Sequence, residues 1–257
     1  MVTEASHDAT VLTPSRPLPR RGVGYLAHAY TASGLLLVTL ATHLVLREQF
    51  ALALVALVIC IVIDATDGVL ARRLQVKLSA ERIDGRKLDD IVDFLSFVFL
   101  PLLLALRADL LLQPAGVVAA IAMVSSVFGF SRVDAKQDEK GFFVGFPSYW
   151  NVVVGYLWLF ETPRLFNTVL ILALAVLVLV PVRFLYLTHL PSRRDRRRHY
   201  LMGALWGVVA VVALLLPAGP ARDVVAVISL AYPAYYVYCS VRADLADRRR
   251  HARSLAH

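Results

Sequence analysis

The chain has 257 residues, 58% of them hydrophobic and 18% charged, with a formal net charge of +8 and a mean hydropathy of +0.65. A soluble domain is about 45–50% apolar and about 25% charged, and here the apolar residues fall in blocks separated by short charged stretches. This pattern excludes a disordered chain, a basic nucleic-acid-binding domain and a disulfide-stapled secreted module, and leaves a membrane protein.

Residues 1–21 are polar, carry Arg16, Arg20 and Arg21, and lack the short apolar run of a cleavable signal. They are expected to form a disordered cytoplasmic tail. A transmembrane helix needs about 20 mostly apolar residues, and eight blocks are read as spans: 25–46, 50–70, 88–106, 114–131, 147–161, 167–188, 200–217 and 223–241. None alternates apolar and polar residues as barrel strands do. The expected fold is therefore all-α, a polytopic bundle of about eight transmembrane helices. Residues 22–243 make one transmembrane domain, and 244–257 a basic cytoplasmic tail. Cys60 and Cys239 lie in apolar blocks without metal or redox spacing and read as buried free thiols.

Orientation follows from the cations. With the N-terminus inside, every Lys and Arg except Arg47, Arg107, Arg164 and Arg222 falls on the cytoplasmic side, Arg183 near the inner end of the sixth helix included. The positive-inside rule then places both termini in the cytoplasm and accounts for the net charge without any nucleic-acid partner. The run from Arg193 to Arg198 reads as a topology anchor that also suits anionic lipid. Gly203 and Gly207, four apart in the seventh block, permit close helix approach, within the protomer or at a dimer seam.

The chemistry concentrates where the second and third blocks meet. Asp64 and Asp67 are three apart and Asp89 and Asp93 four apart, so each pair lies on one helix face. The first pair closes one span and the second opens the next, which brings four carboxylates to one membrane depth. The helix dipole favours an anion at the start of a helix and disfavours one at its end, and four like charges resist joint ionisation. A divalent cation removes that conflict. Oxygen ligands without His or Cys select Mg2+ or Mn2+, and four carboxylates are enough for two ions that clamp an in-line phosphoryl displacement. Gly68 and Gly85 allow a nucleotide or phosphate to approach the backbone closely, and Arg72 is suited to a diphosphate. Asp84 and Asp90 receive no role.

The arrangement D-x-x-D-G-x-x-A-R … G-x-x-x-D-x-x-x-D, running from Asp64 to Asp93, resembles the signature of the CDP-alcohol phosphatidyltransferase family at every fixed position. Twelve residues separate Arg72 from Gly85, more than in most members. That gap resembles a bacterial branch with eight spans that uses choline. So do His28-x-x-Thr31-x-x-Gly34, the segment from Gly141 to Asn151, and Arg183-Phe184-Leu185-Tyr186. The resemblance implies that Asp64, Asp67, Asp89 and Asp93 hold two Mn2+ or Mg2+ ions, with Asp93 also the general base. It implies that Gly68, Ala71, Arg72 and Gly85 bind the cytidine diphosphate portion of CDP-diacylglycerol. It further implies CMP release, a homodimer, and a multi-pass protein of the bacterial inner membrane whose site faces the cytoplasm.

Choline carries a quaternary ammonium, which aromatic faces recognise. Tyr149, Trp150, Asn151 and Tyr186 are the candidates for it, within a wider aromatic set that includes Phe142, Phe143, Phe146, Tyr235 and Tyr236. Asp134 and Glu139 are further charge partners. A serine, inositol or glycerol phosphate acceptor stays open, with Arg132, Lys136 and Arg183 as cations for it. Outside enzymes, a divalent-cation transporter is the competing class. The other blocks, however, carry no midplane carboxylates and no repeated half with broken helices.

Overall fold

A computed structural model describes residues 22–80, 82–132, 136–137, 141–187, 190 and 192–254. The predicted N-terminal tail, Asp134 and Glu139 lie outside the described residues. Helices α1 (Gly24–Leu46) and α2 (Phe50–Arg73) form an antiparallel hairpin. The buried stripe of α1 recurs every three or four residues from Gly24 through His28, Thr31, Gly34 and Val38 to Val45. Its small residues let the backbones approach.

A single turn, α3 (Val76–Ser79), leads to α4 (Gly85–Asp93). This helix runs through a π-helical turn at Phe94–Phe99 into α5 (Leu100–Arg107). Pro101 has no N–H for the carbonyl of Phe97 and its ring crowds that carbonyl, so the helix widens just before it. Next come α6 (Ala115–Ser131), α7 (Trp150–Leu159), α8 (Arg164–Leu179), α9 (Arg193–Leu215), α10 (Pro220–Ser229) and α11 (Ala231–Ser254). The core joins Leu54 and Leu57 of α2 to Leu100 and Leu104 of α5, Trp150 of α7 and Ile171 of α8.

The all-α reading holds, and helix occupies each of the eight apolar blocks. Among the described residues, four helical stretches are long and apolar enough to cross a membrane: Gly24–Leu46, Phe50–Arg73, Arg193–Leu215 and Pro220–Arg248. Only 22–33% of the apolar window in each is buried within the protein, and Leu36, Val62, Leu205 and Val208 project outward. Lipid is the solvent that accepts such faces, which marks the chain as a membrane protein. Among the shorter apolar helices, α6, α7 and α8 have 17, 10 and 16 residues.

One expectation is corrected. The sixth block does not stay helical to 188: α8 ends at Leu179, because Pro181 removes a donor and disfavours helix in the residue before it. Arg183 then lies on a strand, β3 (Arg183–Leu185), which pairs antiparallel with β2 (Phe142–Val144), itself paired with β1 (Lys136–Gln137). This small sheet packs on α11 through Phe142, Phe184, Leu185 and Tyr236. It needs a glycine at 145: φ is +87°, and a Cβ would stand 2.1 Å from the Val178 carbonyl oxygen. The basic run at 193–198 forms the first turns of α9, which therefore begins ahead of its apolar block and is capped by Ser192 accepting from the Asp195 N–H at 3.2 Å.

Three of the four exceptional cations have acidic partners at the far end of the bundle. Arg107 pairs with Glu48 at 2.9 Å, Arg222 with Glu161 at 2.9 Å, and Arg164 with Asp109. Cys60 is buried and Cys239 half-buried, both free thiols.

Candidate active site

The four motif aspartates sit inside helices rather than at their ends. The second block ends later than expected, since α2 continues to Arg73, and the third begins earlier, since α4 starts at Gly85. The dipole contrast expected between the two pairs therefore falls away, because that effect is confined to the terminal turns. The carboxylate that does cap a terminus is Asp84, which accepts from the N–H groups of Arg86 at 3.1 Å and Lys87 at 3.3 Å. Its role, unassigned from sequence, is to start α4.

Asp64 from α2 and Asp89 and Asp93 from α4 converge: ligand oxygens from all three lie within 4.8 Å of one another, and each residue is half-buried. Oxygen ligands of a hard ion bound at about 2.1 Å lie about 3.0 Å apart when adjacent and about 4.2 Å when opposite, so the three carboxylates would draw together to hold Mg2+ or Mn2+. Asp67 is oriented by a different contact. It is buried one turn along α2 and accepts from Thr31 Oγ1 at 2.8 Å, which ties it to α1.

Tight packing sets this geometry. A Cβ at Gly34 would lie 2.8 Å from Val92 Cγ1, and one at Gly24 would lie 2.3 Å from Ser79 Oγ. Both glycines bring α1 against the α3–α4 segment. The long gap of the motif thus contains a helical turn that docks on α1, and Ser79 holds that turn by donating to Leu74 and Gln75 carbonyls. Gly68 leaves room for Arg72, whose Nη1 would be 3.4 Å from a Cβ there. Arg72 itself is exposed, and Ala71 is half-buried on the same turn. Gly85 faces the ring of His28.

One residue beside this cluster went unread in the sequence. Tyr200 of α9 donates to the Ala65 carbonyl at 3.3 Å and lies within electrostatic reach of Arg72, Arg196, Asp64 and Asp67. Its only sequence signal is its place just after the arginine run. Thr31 carried a signal only through the resemblance of His28-x-x-Thr31-x-x-Gly34.

The four choline candidates occupy different surroundings. Tyr149 is within electrostatic reach of Asp64 and packs at 6.1 Å from Tyr236 and 6.0 Å from Phe97. Asn151 is buried, and its Nδ2 has no hydrogen-bond partner among the described residues. Trp150 is wholly buried, edge-on to Phe146, with its indole N–H donated to Ser126 at 2.8 Å. It supports the segment from behind. Tyr186 packs on Phe143 with ring centroids 4.2 Å apart. Phe143 also borders a pocket of about 110 Å³ with Phe130, Phe146, Arg86 and Asp90. Arg183, one of the cations considered for an acidic acceptor, pairs with Asp247 of α11.

Carboxylates converging from two adjoining helices of a membrane protein suit a metal-assisted phosphoryl-transfer enzyme. The profile of the CDP-alcohol phosphatidyltransferases matches residues 25–181, and the chain belongs to that family. Its relatives include a protein named phosphatidylcholine synthase from Legionella pneumophila, 33% identical over 239 residues that cover 89% of this chain and 91% of the relative. Proteins of the same name from Bradyrhizobium diazoefficiens and Borreliella burgdorferi are 36% and 28% identical. They cover 77% and 89% of this chain, and 73% and 97% of their own lengths.

Proposed function

We propose that this protein is a phosphatidylcholine synthase, which transfers the phosphatidyl group of CDP-diacylglycerol to the hydroxyl of choline and releases CMP. The observation that carries the reading is the convergence of Asp64, Asp89 and Asp93 within the motif of a family whose relatives bear that name. Asp64, Asp67, Asp89 and Asp93 would hold the metal. A bound Mg2+ or Mn2+, one ion or two, supplies positive charge to the diphosphate as the bond to CMP breaks. Gly68, Ala71, Arg72 and Gly85 bind the cytidine diphosphate, Arg72 through its guanidinium.

Choline's hydroxyl is a poor nucleophile near neutral pH, so a carboxylate must take its proton during attack. Asp93, one turn deeper on α4 than Asp89, is the base. Tyr149 is the aromatic candidate in reach of Asp64, so it would hold the ammonium close enough for the hydroxyl to enter the cluster. Asn151 offers an unused amide, Trp150 fixes the segment, and Tyr186 extends the aromatic wall.

The distribution of cations supports eight crossings of a bacterial inner membrane, with both termini and the site on the cytoplasmic side. In that orientation the acyl chains stay in lipid while the nucleotide reaches water. A homodimer is expected, with its seam away from Gly203 and Gly207. A Cβ at these glycines would meet Tyr232 at 3.4 Å and Val58 at 3.8 Å within the same chain.

The test offers purified protein CDP-diacylglycerol and Mn2+ or Mg2+ with choline, serine, inositol or glycerol 3-phosphate, each alone. Choline-dependent CMP release with a phosphatidylcholine product supports the reading. Product from serine and none from choline refutes the acceptor.

A further inference from the structure

One polar side chain between the two halves of the motif is not used by the chemistry above. His28 lies on the buried face of α1, one turn before Thr31, and is only 7% exposed. Its Nε2 is buried and has no hydrogen-bond partner among the described residues. A buried polar nitrogen is rarely left in that state; protein, ordered water or a ligand satisfies it. The ring stands over the first residue of α4, where a Cβ at Gly85 would be 3.0 Å from Cε1 and 3.5 Å from Nδ1.

This placement points to a ligand through the orphaned nitrogen and its position between the two halves of the motif. The Asp84 cap already takes the N–H groups of Arg86 and Lys87 in the first turn of α4, so the donor left for a ligand beside Gly85 is the orphaned imidazole nitrogen rather than the helix end. Thr31, on the same face of α1, meanwhile fixes Asp67 of α2. His28 therefore stands where the Asp67-Gly68 half of the motif meets the Gly85 half. A larger residue at 85 would press on the imidazole and close that space.

We propose that His28 is a donor-binding residue: its Nε2–H donates a hydrogen bond to the cytidine nucleotide lying over the first turn of α4 at Gly85. The neutral imidazole is enough, so no proton needs to move. The inference rests on reading the site as one that binds the cytidine diphosphate of the donor.

The experiment measures CMP affinity of the purified protein in the presence of Mn2+, for the wild type, His28→Phe and His28→Gln, with Mn2+ affinity and Tm alongside. Phe keeps a ring without a donor, whereas Gln carries an amide nitrogen close to the position of Nε2. The expected result is CMP affinity reduced roughly tenfold or more in His28→Phe, with Mn2+ affinity unchanged and most of the loss recovered in His28→Gln. His28→Leu replaces His28→Phe if the latter does not fold. CMP affinity within about twofold of wild type in the apolar variant, whatever its Tm, overturns the proposal and leaves His28 as a packing residue satisfied by water. A wild type that binds no cytidine nucleotide overturns the donor reading itself, a different outcome in the same assay.

Discussion

The contact between Thr31 and Asp67 gives the sharpest quantitative test of the site. It is a single 2.8 Å hydrogen bond from Thr31 Oγ1 to Asp67 Oδ2, with both residues buried. Thr31→Val keeps the branched shape and deletes the donor. A hydrogen bond to a charged acceptor contributes about 1.5–3 kcal/mol, and about 1.4 kcal/mol is a factor of ten in an equilibrium constant. Losing an outer partner of a carboxylate proposed to hold the metal independently predicts a loss of about 10–100-fold in metal affinity. The two estimates agree. The assay is the Mn2+ concentration for half-maximal CMP release, measured beside Tm. Thr31→Val should raise that concentration by roughly 10–100-fold, and Thr31→Ser should stay near wild type. A lower Tm with an unchanged Mn2+ requirement would refute the reasoning, because the bond would then only clamp α1 to α2.

Other expectations follow from single side chains. Asp93→Asn should retain Mn2+ and CMP binding while turnover falls by about 10²–10⁴, the usual contribution of a general base; CMP binding lost in step with turnover would make Asp93 chiefly a metal ligand. Gly145→Ala meets both a positive φ and the Val178 carbonyl, and should destabilise by more than about 3 kcal/mol, read as a large fall in Tm. Trp150→Phe removes the N–H bonded to Ser126. It should cost about 1 kcal/mol of stability and leave the choline KM unchanged, since the ring is wholly enclosed; a raised KM would return Trp150 to the choline site.

Much of this protein is legible in its sequence because membrane insertion imposes strong one-dimensional rules. Backbone groups must be satisfied within each segment, so apolar blocks of sufficient length become helices, and all eight blocks contain one. The aspartates were equally legible. Their three- and four-residue spacings place each pair on one helix face wherever the helix ends fall, which is why the motif survived shifts of three residues at both boundaries. Helix ends were harder to read, since they depend on caps such as Asp84 and on Pro181 rather than on hydropathy.

Only the tertiary structure decided what meets across helices. Thr31 reaches Asp67 over 36 positions of chain, and Tyr149 comes near Asp64. Arg183 is drawn from its expected helix onto a strand and into a pair with Asp247. Trp150 and Tyr149 are adjacent in sequence and equally aromatic, yet one is sealed in the core while the other lies within electrostatic reach of Asp64. Composition identified the solvent, and charge gave an expected orientation, because both are sums over residues and carry no long-range information. Which carboxylates converge, and which aromatic lies near them, depends on how α1 and α4 approach through Gly24, Gly34 and Gly85. That close packing is a property of the assembled bundle.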